Sequence, residues 1–312
     1  MILEVLRGAG IGRHLLDVDA LSRAEIEGVL ALAVEMREAR AAGTHRSLLE
    51  AQTVGLAFYE ASTRTRVSFE LAAKALGATV VDLNVTSSSV GKGESLIDTL
   101  RTLERTGVTA LVLRHGAAGA PYLAARCTGM AVVNAGDGMH AHPTQALLDA
   151  LTLREALGPL DGRVIAIVGD VAHSRVARSN LHTLVALGAR VRLGGPAAWV
   201  NGFEGRTGIE VVTTIQDALV GADAVMALRV QVERSATAEV SSLHDYVEGW
   251  RLDEARMQLA APNARILHPG PTNEGVELTS ELANGRRSLI GRQVENGVPV
   301  RMAVLALVSG AA

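Results

Sequence analysis

Short runs of β-branched and aliphatic residues recur along this chain, and a segment of helical spacing lies between most of them. No other feature narrows the possible folds so far. The runs are 53–59, 79–84, 108–114, 130–134, 164–169, 190–194, 210–213, 224–228 and 265–268. Their apolar residues are near-continuous rather than alternating, the pattern of parallel strands covered on both faces. Strand–helix alternation on this scale predicts an α/β architecture with parallel sheets. At 312 residues the chain is long for one core, so two domains are expected.

Local signals punctuate that pattern. Ser22 and Glu25 have the spacing of a capping box and open a first helix through Ile26, Val29, Leu30, Ala33 and Val34. Gly158-Pro159-Leu160-Asp161-Gly162 makes a turn after the helical segment 144–157, where a fresh βαβ series begins. The stretch 301–308 reads as a buried helix, and its period does not say which domain it joins. Two polar segments, 86–95 and 231–250, are expected to be mobile loops.

Composition excludes several classes. Aromatic residues are only 3% against 48% hydrophobic, so the core must be built from Ala, Val, Leu and Ile. A net charge of −3 leaves no footprint for nucleic acid, although clustered arginines can still hold a small anion. A single cysteine, Cys127, excludes an internal disulfide and any multi-thiolate zinc site, and its neighbours Tyr122, Leu123 and Met130 predict a buried thiol. The longest apolar run, 302–308, is far short of the ~20 residues of a membrane span. Arg7 lies near the start, but no leader pattern follows it, so a cytoplasmic protein is expected.

Six places carry candidate chemistry. Ser62-Thr63-Arg64-Thr65-Arg66 joins a strand to a helix whose apolar side is read as Val67, Leu71, Ala75 and Leu76. Hydroxyls and free backbone N–H groups at a helix start form an anion site. Cations in a first turn oppose the helix dipole at up to about 1 kcal/mol each, a cost that a bound phosphate reverses. His142-Pro143-Thr144-Gln145 puts an imidazole just before a helix that Pro143 starts, with an amide one turn on. A neutral imidazole there can donate to a carbonyl oxygen. His140 and Asp137 add only a weak metal signal.

Gly169-Asp170-Val171-Ala172-His173-Ser174-Arg175 sits at the end of a strand, where doubly wound sheets bind ligands, but it lacks the glycine fingerprint of a dinucleotide fold. Arg229 ends the run 224–228, with Gln231 two residues on. Two arginines at strand ends suit a dicarboxylate. Lys92 lies between glycines in a polar loop, and His268-Pro269-Gly270-Pro271 follows a strand as a stiff turn.

Taken together and in this order, these motifs resemble the aspartate/ornithine transcarbamoylase family, from about Arg13 onward. Ser62-Thr63-Arg64-Thr65-Arg66, preceded by Phe58-Tyr59-Glu60-Ala61, is similar to the family's carbamoyl-phosphate signature. His142-Pro143-Thr144-Gln145 and His268-Pro269-Gly270-Pro271 lack the cysteines of the ornithine branch. Arg229-Val230-Gln231-Val232-Glu233-Arg234 resembles the aspartate branch, and Arg175 and Arg229 would repel a cationic amino acid. Ala61 and Gly91 depart from residues the family often carries, and neither change removes a donor that the implied mechanism uses.

The resemblance implies a fold and a set of roles. Two domains are implied, each a parallel β-sheet flanked by helices, with a C-terminal helix returning to the first. Residues 1–143 with 294–312 form a carbamoyl-phosphate-binding domain and 144–293 an aspartate-binding domain. Ser62, Thr63, Arg64, Thr65 and Arg114 hold the phosphate. Arg64, Thr65, Arg114 and His142 polarise the carbonyl, Gln145 binds the carbamoyl NH2, and Gly270 and Pro271 offer backbone contacts. Arg175, Arg229 and Gln231 hold the carboxylates of aspartate. Lys92 reaches in from a neighbouring subunit with Ser89, the register leaving Ser88 beside it. A homotrimer is implied, open to assembly with a regulatory chain or a dihydroorotase, and no metal, nucleotide or other cofactor is called for. Activity toward ornithine or an acylated derivative, a nucleotide-binding dehydrogenase and an inactive scaffold are the alternatives.

Overall fold

A computed structural model describes residues 12–44, 47–83, 94–230 and 243–310. The chain forms two compact units, one from Met1–Leu148 with Val294–Ala312 and one from Asp149–Gln293. In the first unit the elements run β1 (His14–Leu15), α1 (Arg23–Ala41), β2 (Thr53–Phe58), α2 (Thr63–Ala75), β3 (Thr79–Leu83), α3 (Leu96–Arg105), β4 (Ala110–His115), α4 (Ala120–Cys127) and β5 (Ala131–Asp137). The next helix, α5 (Pro143–Leu157), carries the chain into the second unit. There follow β6 (Val164–Val168), α6 (Arg175–Ala186), β7 (Arg190–Gly194), α7 (Ala197–Val200), β8 (Ile209–Val212), α8 (Ile215–Leu219) and β9 (Ala224–Ala227). Then come α9 (Leu243–Trp250), α10 (Glu254–Met257), β10 (Arg265–Leu267), α11 (Ser280–Asn284) and α12 (Ile290–Val308).

Each unit holds a five-stranded parallel sheet, ordered β1-β5-β4-β2-β3 in the first and β10-β9-β6-β7-β8 in the second. Burial explains the near-continuous apolar runs. All seven residues of β5 and all four of β9 are buried, whereas the edge strand β3 shows no buried residue. All nine expected runs are strands, shifted by a few residues at their ends. Strand β1 was not expected; two residues are too few to show a period. His14 Nδ1 and the carbonyl of Leu16 nevertheless fasten it, accepting from Val132 N at 3.1 Å and Asn134 Nδ2 at 2.9 Å.

The helices follow their caps. Ser22 accepts from Glu25 N at 3.3 Å while Glu25 Oε2 accepts from Ser22 N at 2.7 Å, so the capping box closes from both sides. The inward face of α2 differs from the sequence reading. Leu76 is buried as expected, but its companions are Phe69, Ala72 and Ala73, while Val67 and Leu71 are 40% and 43% exposed. Phe69 supplies more apolar area than Val67, and the alanines let the helix lie close to its sheet. The expected loop 231–250 ends instead in helix α9, because Tyr246 and Trp250, one turn apart, bury against the second core. Cys127 is half-buried rather than buried, its thiol donating to the carbonyl of Leu123 at 2.8 Å.

The last helix returns to the first unit. From Val294 onward α12 groups with that unit, where Arg37 Nη1 donates to Asn296 Oδ1 at 2.9 Å and the Arg301 guanidinium sits 5.0 Å above the Phe69 ring.

Candidate active site

Strand order decides where ligands can enter. In the first unit the chain moves outward from β2 to β3 and then returns to place β4 on the other side of β2. The carboxyl ends of β2 and β4 therefore flank a switch point, the crevice that open parallel sheets offer to ligands. In the second unit β6 and β9 stand in the same relation.

At the first switch point β2 feeds directly into α2. Ser62 occupies the N-cap position, yet its side chain makes no capping bond, and the first turn contains no acidic residue. The helix start is thus left with its positive end unneutralised, the condition for receiving an anion. Thr63 and Arg64 are exposed there and Thr65 is buried. Among the described residues Arg64 has no carboxylate partner, whereas Arg66 is ion-paired with Asp82 of β3, which assigns the second arginine of the motif to structure.

Arg114 lies opposite Phe58 in the β2–β4 register, beside the strand end that leads to Ser62. Its Nη1 donates to the carbonyl of Ala135 at 3.2 Å, and its Nε lies 3.6 Å from Glu60 Oε2. That carboxylate was not singled out from the sequence, although a lone acid between a strand and a hydroxyl-rich turn was its only signal.

His142 and Gln145 come from the next strand over, β5, and the start of α5. Both are buried, and the carbonyl of His142 accepts from Gln145 N at 3.0 Å. The loop that delivers them is organised by Asp137. This fully buried carboxylate accepts from Gly119 N at 2.7 Å, Asn134 Nδ2 at 2.8 Å and Ala141 N at 3.1 Å, with His140 Nδ1 at 3.2 Å. Asp137 and His140 are therefore loop-forming residues, the other ring nitrogen of His140, Nε2, lying 3.4 Å from Asp17 Oδ2. Thus β2, β4 and β5, three adjacent strands, bring the Ser62–Thr65 turn, Arg114, His142 and Gln145 to one carboxyl edge.

At the second switch point Gly169 leaves β6 with φ +124°, a conformation side chains disfavour, and an added Cβ would lie 3.1 Å from the carbonyl oxygen of Leu228. The following loop is drawn together by Asp170. Its Oδ1 lies 2.7 Å from His173 Nδ1, and Arg178 Nη2 braces the carbonyl of Ala172 at 3.0 Å. Ser174 caps α6 through Ala177 N, and Arg175, the first helical residue, is buried. Arg229 follows β9 and is half-buried. The turn after β10 carries Gly270 and Pro271, joined by a cis peptide, with Gly270 at φ +68°. Since β10, β9 and β6 are neighbours, Arg175, Arg229, Gly270 and Pro271 share one carboxyl edge.

Beneath that edge lies a carboxylate missed in the sequence. Glu277 is buried, and burial pushes its acid above the usual range, partly offset by N–H groups of Val230 and Asn273 that favour the ionised form. The nearby Tyr246 hydroxyl is held protonated by burial, with the charges of Glu277 and Asp170 adding to the effect. Farther in, Asp149 accepts from Asn180 Nδ2 at 2.9 Å and Gln293 Nε2 at 2.7 Å, and Gln293 Oε1 accepts from His268 N at 3.0 Å. The expected contributions of Ser89, Lys92 and Gln231 lie outside the described residues.

Two doubly wound parallel α/β units, each with cationic side chains at its switch point and neither with a glycine-rich nucleotide loop there, define a class of two-domain small-anion proteins. Matching family models narrow it. The carbamoyl-P binding domain of aspartate/ornithine carbamoyltransferase matches residues 13–155, and the Asp/Orn binding domain of the same enzymes matches residues 161–308. The chain belongs to the aspartate/ornithine carbamoyltransferase family. It is 51% identical over 300 residues to the aspartate carbamoyltransferase catalytic subunit of Gluconacetobacter diazotrophicus, covering 96% of this chain and 94% of that protein. Among solved structures, aspartate transcarbamoylase from Trypanosoma cruzi in complex with N-(phosphonacetyl)-L-aspartic acid is similar with TM-score 0.85 at 33% identity, covering 94% of this chain and 95% of that one. Ornithine carbamoyltransferase from Thermus thermophilus also has TM-score 0.85, at 29% identity, covering 96% of this chain and 99% of that one.

Proposed function

We propose that this chain transfers the carbamoyl group of carbamoyl phosphate to the amino group of L-aspartate, giving N-carbamoyl-L-aspartate and phosphate. One observation carries the reading: a family member's two switch points display an uncapped helix start with Arg64, Arg114 and His142 in one unit, and Arg175 and Arg229 in the other. The first suits a phosphate and a carbonyl; the second suits two carboxylates. Arginines are poor hosts for the ammonium tail of ornithine, which decides between the two branches of the family.

In this reading Ser62, Thr63, Arg64, Thr65 and Arg114 bind the phosphate, and the unit that carries them is the carbamoyl-phosphate domain. Arg175, Arg229 and Gln231 bind aspartate in the other. The deprotonated amine attacks the carbonyl carbon, forming the C–N bond and a tetrahedral intermediate. Arg64, Thr65, Arg114 and His142 stabilise its oxyanion, a contribution of several kcal/mol from a preorganised donor set. Gln145, with backbone groups of Gly270 and Pro271, orients the carbamoyl group. The carbon–oxygen bond to phosphate then breaks, and phosphate leaves with the amine's proton taken up directly or through water.

The reading extends to a homotrimer in the cytoplasm, working in pyrimidine biosynthesis, in which Lys92 and Ser89 complete a neighbour's site. Support for a subunit contact comes from Val67 and Leu71 on α2 and Val81 on β3, all exposed, β3 being an edge strand among the described residues and preceding residues 84–93 in sequence. A regulatory chain or a dihydroorotase is a further partner to be sought. The test is formation of carbamoyl-aspartate by the purified chain, with ornithine as the competing acceptor. Turnover with aspartate alone is expected; turnover only with ornithine overturns the reading.

A further inference from the structure

The buried carboxylate of Glu277 lies where two separate parts of the second unit's edge come closest. Glu277 Oε1 accepts from Val230 N at 2.9 Å, and Val230 is the residue between Arg229 and Gln231. The same oxygen accepts from Asn273 Nδ2 at 2.8 Å, while Oε2 accepts from Asn273 N at 2.8 Å, two residues after Pro271. Asn273 Nδ2 also donates to the carbonyl of Val230 at 3.1 Å, so both polar groups of Val230 are tied to the same knot. His268 joins it from beneath. Its Nδ1 accepts from Gly270 N at 2.9 Å, which leaves the ring proton on Nε2, 4.0 Å from Glu277 Oε2.

A carboxylate buried this deeply is costly unless it is fully hydrogen-bonded, and here three N–H donors satisfy it. None of those donors belongs to the strand ladder or to a helix. Two are backbone N–H groups just after Arg229 and just after Gly270-Pro271, and the third is the Asn273 side-chain amide, so the carboxylate joins segments that would otherwise be independent loops. We propose that Glu277 is a positioning residue of the aspartate site, a clamp that fixes the Arg229-Val230 backbone to the Gly270-Pro271 turn so that Arg229 and the turn present their groups in one register. The inference rests on the assignment of Arg229 to aspartate binding made above.

The test is steady-state kinetics of E277Q, with the wild type measured alongside. Glutamine keeps the shape but turns an N–H toward one of the two backbone donors, so at least one clamp bond is lost. KM for aspartate should rise about tenfold or more, while KM for carbamoyl phosphate stays within about twofold. Combined with R229A, E277Q should add little further, since the clamp then has no guanidinium to position. N273A, which removes the side-chain bonds and keeps the two backbone ones, should show the same split in smaller measure if E277Q fails to fold. An active wild type whose variants keep their aspartate KM, or lose affinity for both substrates equally, overturns the clamp alone. A wild type inactive with aspartate overturns the functional reading, and the clamp with it.

Discussion

Arg64 and Arg229 carry the same guanidinium, but their surroundings assign them different work. Arg64 stands at an uncapped helix start, where helix dipole and side chain act on the same anion. Arg229 follows β9 in the other unit, joined to a backbone that Glu277 holds. R64A is therefore expected to lower kcat by several orders of magnitude, because it loses charge stabilisation that matters most in the transition state. R229A should raise KM for aspartate while binding of carbamoyl phosphate is nearly unchanged. Measuring both constants for both substrates separates the two; an R64A enzyme that keeps most of its turnover contradicts the assignment.

Among the elements, α1 shows how local chemistry sets a boundary. Ser22 and Glu25 satisfy each other's backbone N–H, and the Ser22 hydroxyl also donates to Glu25 Oε2 at 2.6 Å. S22A should destabilise the fold by about 1 kcal/mol, read from urea unfolding, with kcat unaltered. Starts of this kind are legible in sequence because the partners are three residues apart. The inward face of α2 was not, since two stripes of similar spacing compete and only the sheet beneath selects the one containing Phe69. Nor was α9, whose Tyr246 and Trp250 are two aromatic residues in a polar stretch until a core exists to receive them.

At the scale of the whole molecule the shared site is the sharpest expectation. Lys92 sits in a glycine-flanked segment beyond the edge strand, and the proposed trimer places it in the next subunit's site. K92A and H142A trimers should each be nearly inactive. Dissociated, mixed and reassembled, they should recover activity in about a quarter of sites, because a head-to-tail ring combines an intact body with an intact neighbouring loop by two independent choices. Mixed trimers verified by mass that remain as inactive as the parents would exclude a role for Lys92 across the interface.

The sequence by itself determined the parallel α/β class, nearly all the strands, and the motifs Ser62–Thr65, His142–Gln145 and His268–Pro271. These are signals carried by neighbours: apolar runs, caps, and proline or glycine at turns. Strand order was beyond it, and with strand order went the reason that Arg114 lies beside the end of β2 and that β9, which leads to Arg229, lies beside β6, which leads to the loop of Arg175. The supporting carboxylates were also beyond it. Glu277 reaches Val230 across 47 residues of sequence, and Asn134 reaches Leu16 across 118. A lone Glu or Asn carries no periodic signal, and its partners exist only once the backbone has closed around it. Burial then makes those partners obligatory, since an unpaired carboxylate or amide in the core costs more than the fold can spare.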